Sequence, residues 1–429
     1  MSARNPLGTF LNPATAAEAS NPVDAILDAV REHLGMEIAF TSRFRDGRRE
    51  FTHIRSSIPV SVVPGDSEPL EDTFCHRILA GRLPQLIHNA QDYEVALEMG
   101  LTRALPVGAH LNVPLRLADG TVYGTFCCVS READYSLTDR DLNTLRAFAD
   151  LAAGQIECDL IADHRQAIAR QRIEAVLAAN RIGMVFQPIH RLADGTPIGV
   201  ESLSRFPGHG DGEWPLPSDW FTSAADSGLG LELELLAIES ALLALPDLPP
   251  NLYMSVNASP NTAASGALEP LLKGIPAHRV VIELTEHSLI TDFAALKEAV
   301  ARLRGLARIA IDDVGAGYSG LCRIVDLRPD LLKLDMSLTR QIDSDEVRLA
   351  LAQALVGFAR RTGSKIIAEG VETMAEAGSL RAIGIGYGQG YVFSRPMPPL
   401  KLQQFLSGLG LEAAPADQQD APPAKRASA

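Results

Sequence analysis

The segment RIAIDDVGAGYSG (residues 308–320) places two acids, Asp312 and Asp313, directly after a short apolar run and before a glycine-rich stretch. Other apolar runs in this part of the chain also finish with a carboxylate, an amide or a lysine. They are GVES with Glu201, YMSVN with Asn257, RVVIE with Glu283, DLLKLD with Lys333 and Asp335, and SKIIAE with Glu369. Helical stretches separate these runs, which predicts a β/α fold with a buried, mostly parallel sheet over residues 181–411.

The polar ends of these runs indicate how the sheet is closed. A single Asp or Asn after a strand is usually explained as a helix N-cap or a loop residue. A whole series of such endings is harder to explain in that way. In a (β/α)8 barrel the carboxyl ends of all strands surround one mouth, so residues far apart in sequence converge there. We therefore expect an α/β, TIM-like barrel with an acidic cluster at one rim.

The side chains expected at this rim are oxygen donors, with no Cys or His among them. Converging carboxylates repel one another unless they share protons or bind cations. Oxygen ligands favour Mg²⁺ or Mn²⁺ over zinc. The adjacent acids Asp312 and Asp313 could help to hold two ions about 4 Å apart, an arrangement that activates water against a phosphodiester. Lys333 would then orient the water and neutralise charge on the phosphate.

The same residues resemble the EAL domains that hydrolyse cyclic di-GMP to linear pGpG. The motifs occur in family order, from FQPIHRLADGTPIGVESLSRF (186–206) and SVNASP (255–260) to VIELTEHSLI (281–290) and IDDVGAGYSG (311–320). LLKLD (331–335), IIAEGVET (366–373) and YGQGYVFSRP (387–396) follow. The resemblance implies metal ligation by Glu201, Asn257, Glu283, Asp312, Asp313 and Glu369, with Lys333, Glu201 and Glu369 as catalytic groups. It implies substrate contacts by Arg205, Gln187 and Gln389, and loop stabilisation by Glu286, Glu372 and Asp335.

Three positions depart from the family pattern. Ser202 replaces the usual alanine of the EAL motif, and Val314 and Ala316 replace the Phe and Thr of the usual DDFGTG loop. These changes alter volume and hydroxyl groups beside the acids rather than the acids themselves. We expect looser gating by the loop and an intact catalytic set.

The segment 21–157 mixes amphipathic helices with strands, which predicts an α+β module. It resembles a GAF sensor domain through DTFCHRILAGRLPQLIHNA (72–90), VGAHLNVPLRLADGTVYGTFCCVS (107–130) and LTDRDLNTLRAFADLAAGQIE (137–157). The resemblance implies a small-molecule ligand of unknown identity. Cys75, His76 and His110 are candidate contacts, although placement in the core or at the surface explains each of them too.

Apolar residues at three- and four-residue spacing continue from this module into the next, which predicts a connecting helix over 158–180. The helix could pair with a partner chain, and two separate helices, each packed on its own domain, remain an open alternative. The predicted order is a flexible N-terminus (1–20), the GAF-like domain (21–157), the connecting helix, the barrel (181–411) and a disordered tail (412–429).

Bulk properties limit the partners of the chain. Its 429 residues carry a net charge of −14, which argues against nucleic-acid or anionic-membrane surfaces. We find no apolar run long enough for a membrane span and no signal peptide, so we expect a cytoplasmic protein. The five cysteines lack metal-site or redox-motif spacing, and we interpret them as reduced thiols. EAL domains commonly work as dimers, and we expect a homodimer.

Two other functions fit parts of the pattern. A receptor could bind cyclic di-GMP without cutting it, but such receptors usually lack the metal ligands that this chain retains. An enolase-like enzyme would also use barrel carboxylates and a lysine. The DDVGAG loop and the order of the motifs argue against it. The chain contains no GGDEF or GGEEF motif, so synthesis of the messenger is not expected.

Overall fold

The computed structural model describes residues 21–99, 107–180, 182–206, 216–285, 293–315 and 326–412. The chain forms two compact units, Met1–Arg165 and Gln166–Ala429. The predicted N-terminal segment 1–20 and all but the first residue of the predicted tail lie outside the described residues.

The first unit is built on an antiparallel sheet with strand order β3-β2-β1-β6-β5-β4. The strands are β1 Ile38–Arg45, β2 Arg48–Ser56, β3 Ser67–Pro69, β4 Leu86–Ile87, β5 His110–Arg116 and β6 Val122–Val129. The adjacent Cys127 and Cys128 lie inside β6, and both side chains are buried. Together with the helices of this unit, the sheet confirms the predicted α+β architecture.

Helices of the first unit are α1 Pro22–Leu34, α2 Phe74–Leu79, α3 Glu94–Leu97 and the start of α4, Asp139–Ala179. Asn21 begins α1 with a side-chain cap on the backbone N–H of Val23, and Gly35 ends the helix in the left-handed conformation that favours glycine. Val23, Leu27 and Val30 on α1 pack with Leu111 and Phe126 of the sheet in one buried cluster. This packing forms the core of the unit.

A single helix of 41 residues, α4, contains the boundary between the two units. Leu142, Leu145 and Ala149 on its first part pack into the core of the first unit. Ile173 and Val176 on its last part pack into a cluster of the second unit. The helix is continuous through residues 158–179 of the predicted connecting helix, and it begins at Asp139.

The second unit is a closed barrel of eight strands, in the order β10-β11-β12-β13-β14-β7-β8-β9. The strands are β7 Gly183–Arg191, β8 Pro197–Arg205, β9 Tyr253–Ala258, β10 Val280–Leu284, β11 Arg308–Val314, β12 Leu331–Leu334, β13 Lys365–Ala368 and β14 Tyr387–Gly388. The predicted TIM-like barrel is confirmed.

One strand departs from the all-parallel pattern of a (β/α)8 barrel. β7 runs antiparallel to both of its neighbours, β8 and β14, and the other neighbouring pairs are parallel. The turn between β7 and β8, with Gly195 at a φ of 72°, is far too short for a crossover helix. A tight turn can join only antiparallel neighbours, so this local sequence reverses the first strand of the barrel.

The helices that follow α4 cover the barrel. They are α5 Pro217–Asp226, α6 Gly230–Leu242, α7 Pro260–Ala264, α8 Leu268–Leu272, α9 Phe293–Leu303, α10 Met336–Thr339, α11 Glu346–Thr362, α12 Met374–Ala382 and α13 Pro399–Gly408. Leu296 and Val300 on α9 and Leu355 and Val356 on α11 belong to one continuous buried cluster with the strands. None of the helices in the described ranges combines the length and hydropathy that a membrane span requires.

Candidate active site at the strand ends

The register of the barrel brings the predicted site residues to one rim. Glu283 on β10 lies beside Asn257 on β9, and Glu201 on β8 lies beside Ser255, two residues before Asn257. Lys333 and Asp312 belong to the next two strands around the barrel, and Glu369 comes directly after β13. The convergence predicted from the strand ends therefore holds for these residues.

One strand end was predicted wrongly. β8 continues past Glu201 to Arg205, where it is still paired with Gly183 of β7. Only its parallel pairing with β9 ends at Glu201. Because β7 is antiparallel, it extends the hairpin beyond the rim, so Glu201 lies in mid-strand.

Lys333 occupies the centre of the site. Its Nζ lies 2.6 Å from Glu369 Oε1, 2.7 Å from Glu283 Oε2, 3.1 Å from Asp312 Oδ1 and 3.4 Å from Glu201 Oε1. The lysine side chain is only 1% exposed. Four carboxylates from four separate segments of the barrel thus surround one buried ammonium group.

Amide side chains hold Glu201 in place. Gln389 Nε2 donates to Glu201 Oε2 at 2.6 Å, and Asn257 Nδ2 lies 3.3 Å from Glu201 Oε1. Gln389 also donates to Gln187 Oε1 at 3.1 Å, and Gln187 donates to the carbonyl of Ser394 at 3.1 Å. Gln187, Gln389 and Asn257 therefore belong to one polar network at the site, in which the two glutamines are buried.

The two adjacent acids lie at an irregularity of the sheet. The pairing of β11 with β12 shifts register between Ile311 and Val314, and Asp313 has a φ of 57°. Such a left-handed, bulged residue is uncommon for an amino acid with a Cβ, and strain of this kind concentrates at functional sites. The bulge lets Asp312 and Asp313 both reach the rim. With Glu369 they form an acidic group whose ligand oxygens lie within 4.8 Å of one another.

The charges of the site shift its protonation equilibria. Burial raises the pKa of Glu283 well above its usual value, and the nearby Glu201 and Asp312 add to the effect against the opposing attraction of Lys333. Burial also raises the pKa of Glu369 to about 8. Burial opposes the charged form of Lys333. The attraction of the surrounding carboxylates is larger than this effect of burial and raises the pKa of Lys333 well above its usual value. One ammonium group does not neutralise the acids around it.

The excess of carboxylates over the single ammonium group bears on whether a divalent metal fits the site. The donors are carboxylate and amide oxygens, the set that hard cations prefer. The raised pKa values of Glu283 and Glu369 mean that these acids retain protons where more positive charge is needed. Residues Glu201, Asn257, Glu283, Asp312, Asp313 and Glu369 fit a divalent-cation site in donor type and in charge.

The other predicted site residues are more peripheral. Arg205 lies exposed at the end of β8, and its guanidinium donates to the carbonyl of Ser204 at 2.8 Å. Asp335 is the N-cap of α10 and accepts from the N–H of Ser337 at 2.9 Å. Glu372 is exposed and forms an ion pair with Arg340. Glu286 lies outside the described residues.

The departures from the family pattern have separate surroundings. Ser202 is buried and donates its hydroxyl to the carbonyl of Ser255 at 2.7 Å, which supplies the hydrogen-bond partner that a buried hydroxyl needs. Val314 is buried in the barrel core. Ala316 lies outside the described residues.

One residue that supports the site was not predicted. Glu376 accepts from the backbone N–H groups of Gln341 and Glu372, each at 2.8 Å, and forms a capping box with Thr373 at the start of α12. It ties the segment after Glu369 to the segment after α10. The spacing Thr-x-x-Glu is a sequence signal of a helix start, and it would have revealed the cap but not the contact with Gln341.

The fold and the site together define a TIM-like α/β barrel protein with an acidic, oxygen-donor centre at its strand ends. The chain belongs to the EAL domain family, whose model matches residues 169–396. Residues 21–157 match the GAF domain.

Two curated relatives resemble about half of the chain. The probable cyclic di-GMP phosphodiesterase PdeB of Escherichia coli is 30% identical over 53% of this chain and 45% of its own length. The cyclic di-GMP phosphodiesterase PA2567 of Pseudomonas aeruginosa is 32% identical over 52% of this chain and 40% of its own length. The chain thus spans less than half the length of these relatives.

A solved structure supports the fold. The EAL enzyme Bd1971, in its cAMP and cyclic di-GMP bound form, matches 86% of this chain and 93% of its own with a TM-score of 0.52 and 19% identity.

Proposed function

We propose that the barrel hydrolyses one phosphodiester bond of cyclic di-GMP and releases linear pGpG. The observation that carries the proposal is the placement of Lys333 against Glu201, Glu283, Asp312 and Glu369 at a barrel rim. The similarity to relatives that are named cyclic di-GMP phosphodiesterases supports this choice of substrate.

Divalent cations complete the proposed site. Glu201, Asn257, Glu283, Asp312, Asp313 and Glu369 would hold two ions, Mg²⁺ or Mn²⁺. When bound, such ions supply an activated water and stabilise negative charge on the phosphate. The closeness of Asp312, Asp313 and Glu369 supports this proposal, since each of them offers an oxygen to a shared position.

Lys333 would position the attacking water and balance the charge of the phosphate. Its ammonium has three N–H donors and is fully buried, so each donor must face a polar partner. The four carboxylates around it exceed the three donors, and they hold the ammonium at the centre of the rim. A cationic donor fixed in this way stabilises the charge that develops during phosphoryl transfer without having to reorganise.

Amide groups and an arginine would orient the reacting groups. Gln389 and Asn257 fix the carboxylate of Glu201, because each donates to one of its two oxygens. Gln187 accepts a hydrogen bond from Gln389 and so helps to hold the Gln389 side chain in place. Arg205 is exposed and forms no ion pair in the described part of the chain, so the N–H groups of its guanidinium other than the one bonded to the Ser204 carbonyl could contact a substrate phosphate.

The loop roles of Asp335 and Glu372 follow from what they touch. Asp335 caps α10, which begins directly after the strand that carries Lys333. Glu372 pairs with Arg340 at the end of the same helix. Both would steady the segment behind the catalytic groups. The equivalent role of Glu286, together with the domain limits at 157 and 180, stays a prediction.

The GAF domain would regulate the barrel in response to a small molecule. A ligand that prefers one conformation of this domain can shift the equilibrium of the whole chain. Removing residues 1–160 should then change the turnover rate. The homodimer expected from the family resemblance stays a prediction that light scattering of the purified chain can test.

A direct assay tests the proposal. Purified protein is incubated with cyclic di-GMP and Mg²⁺ or Mn²⁺, with and without EDTA, and the products are separated by chromatography. We expect linear pGpG that depends on the metal. Binding of cyclic di-GMP without any product, at every metal concentration, would instead identify a receptor.

A further inference from the structure

A buried polar cluster in the first unit surrounds the thiol of Cys75. Cys75 lies at the start of α2 and Cys127 lies in β6, and neither side chain is exposed. Their sulfur atoms are 3.8 Å apart. The two thiols come from positions 52 residues apart in the chain, so only the fold brings them into contact.

Three hydrogen-bond donors converge on the sulfur of Cys75. Thr125 Oγ1 lies 3.0 Å from it, Arg49 Nη1 lies 3.2 Å from it, and Asn112 Nδ2 lies 3.3 Å from it. A neutral thiol is a weak acceptor and does not require such a set of donors. Several donors and a guanidinium around one sulfur are the surroundings of a stabilised thiolate.

Arg49 brings a full positive charge into this interior. The residue is 3% exposed, and its guanidinium lies 4.3 Å from the centre of the Phe51 ring and forms an ion pair with Glu68. A buried guanidinium is costly unless its N–H groups are paired. Nη2 pairs with Glu68 and Nη1 with Cys75, so the sulfur is the second partner of the charge.

The two thiols differ in protonation. Burial by itself raises the pKa of Cys75, but the hydrogen bond with Cys127, the charge of Arg49 and the hydroxyl of Thr125 outweigh it and hold the pKa well below its usual value. Burial and the neighbouring Cys75 raise the pKa of Cys127 well above its usual value. The surroundings thus favour the thiolate form at Cys75 and the protonated thiol at Cys127.

Cys128 shows that burial alone does not create this situation. It is adjacent to Cys127 in β6, but its side chain packs in the apolar core with Val23 and Phe126. Burial raises its pKa above the usual value. Alternation along the strand thus places one cysteine in the polar cluster and its neighbour in the hydrophobic core.

We propose that Cys75 and Cys127 are a redox-active pair that a small hydroperoxide converts to a reversible disulfide. The Cys75 thiolate attacks one peroxide oxygen, the O–O bond breaks, and the sulfur becomes a sulfenic acid with release of hydroxide or alkoxide. Cys127 then attacks that sulfur, and its proton leaves with the sulfenic hydroxyl group as water. The hydroxide or alkoxide of the first step takes up the proton that Cys75 released to solvent when it ionised. Two thiols and one peroxide give one disulfide, one water and one water or alcohol.

Burial defines which oxidant this pair accepts. Neither sulfur is exposed, so a bulky disulfide such as oxidised glutathione cannot reach the thiolate in the folded protein. Hydrogen peroxide is close to water in size and can enter through small fluctuations of the fold. The pair is therefore selective for small hydroperoxides over disulfide oxidants.

Peptide mapping tests the proposal on the full chain. Reduced protein is freed of dithiothreitol, treated with equimolar hydrogen peroxide, and blocked with iodoacetamide in denaturant before proteolysis and mass spectrometry. We expect a linked pair of peptides containing Cys75 and Cys127, which dithiothreitol reverses. Oxidised glutathione at the same concentration should react at least about tenfold more slowly.

Matched cysteine variants supply the controls. Cys127→Ser should stop at a sulfenic acid on Cys75, which dimedone labels, and Cys75→Ser should lower the oxidation of Cys127 at least about tenfold. Cys128→Ser removes an equally buried cysteine of the same strand and should react as the unmodified chain does. Since the unmodified chain is itself mapped, a variant that fails to fold does not prevent the test. Failure of the Cys75–Cys127 peptide to form while circular dichroism shows a folded protein would overturn the proposal, as would equal oxidation of Cys128.

Discussion

Lys333 Nζ lies 2.7 Å from Glu283 Oε2, and both side chains are 1% exposed. A buried ion pair of this kind is costly to assemble, because both charges lose their hydration. It persists here because three further carboxylates share the same ammonium group. The four carboxylates of the site are thus arranged around the ammonium group of Lys333.

Replacement of Lys333 should remove turnover. Lys333→Met keeps most of the side-chain volume and removes the ammonium that would orient water and balance charge, so we expect a fall in turnover of about 100- to 1,000-fold. Lys297→Met is the control, since Lys297 is exposed and its Nζ lies 3.9 Å from the carboxylate of Asp326. Rates are measured from pGpG formation. Near-normal turnover of Lys333→Met would remove the lysine from the mechanism.

The metal-free protein should lose stability as pH rises. Glu369 has its pKa raised from 4.5 to about 8, so the folded chain holds a proton that the unfolded chain releases. The contribution of this group is fully present below pH 4.5 and is lost as pH rises to about 8. Urea denaturation in EDTA measures it. Glu369→Gln should reduce the slope of the unfolding free energy against pH by up to about 1.4 kcal/mol per pH unit. Equal slopes in the variant and the unmodified protein would refute the raised pKa of Glu369.

Divalent cations should stabilise the protein, and more so at alkaline pH. Metal binding must displace the protons held by Glu283 and Glu369, so affinity should rise with pH. At a concentration 100 times the dissociation constant, Mn²⁺ should add about 2.7 kcal/mol to the free energy of unfolding. Thermal unfolding reports the effect. Asp312→Asn should weaken it, whereas Asp326→Asn, on the exposed partner of Lys297, should not.

Two glycines with similar backbones should respond differently to alanine. Gly370 follows Glu369 with a φ of 63°, and an added Cβ would lie 2.6 Å from Met336 Cβ. Gly363 ends α11 with a φ of 81° and open space around it. Each substitution should cost about 1–2 kcal/mol for the left-handed backbone. Only Gly370→Ala should also displace Glu369 and reduce turnover. Equal activity of the two variants would show that Glu369 tolerates the shift.

The serine in the EAL motif should make a small contribution to stability. Ser202→Ala removes the hydrogen bond to the Ser255 carbonyl and should lower the free energy of unfolding by about 0.5–1.5 kcal/mol. Turnover should stay within about twofold, because the hydroxyl touches a backbone carbonyl and no acid of the site. Ser240→Ala, which removes a bond within α6, is the comparison. A large loss of activity would assign Ser202 a role in catalysis.

The sequence by itself determined the kind of fold and the chemical character of the site. Apolar runs ending in Glu201, Asn257, Glu283, Asp312 and Lys333 predict both the barrel and the convergence, because parallel strands in a closed barrel must end at one rim. The short turn at Gly195 also determines locally that β7 is antiparallel to β8. The number of strands does not predict this direction.

Tertiary structure decided which atoms meet. The contact of Lys333 with four carboxylates and the placement of Cys75 beside Cys127 both join residues from separate elements. Local pattern cannot specify such contacts, because they depend on strand register and on side-chain direction across distances that no sequence window spans. The sequence therefore determines which donor groups the site contains. Packing determines the geometry and the protonation of these groups, and hence their chemistry.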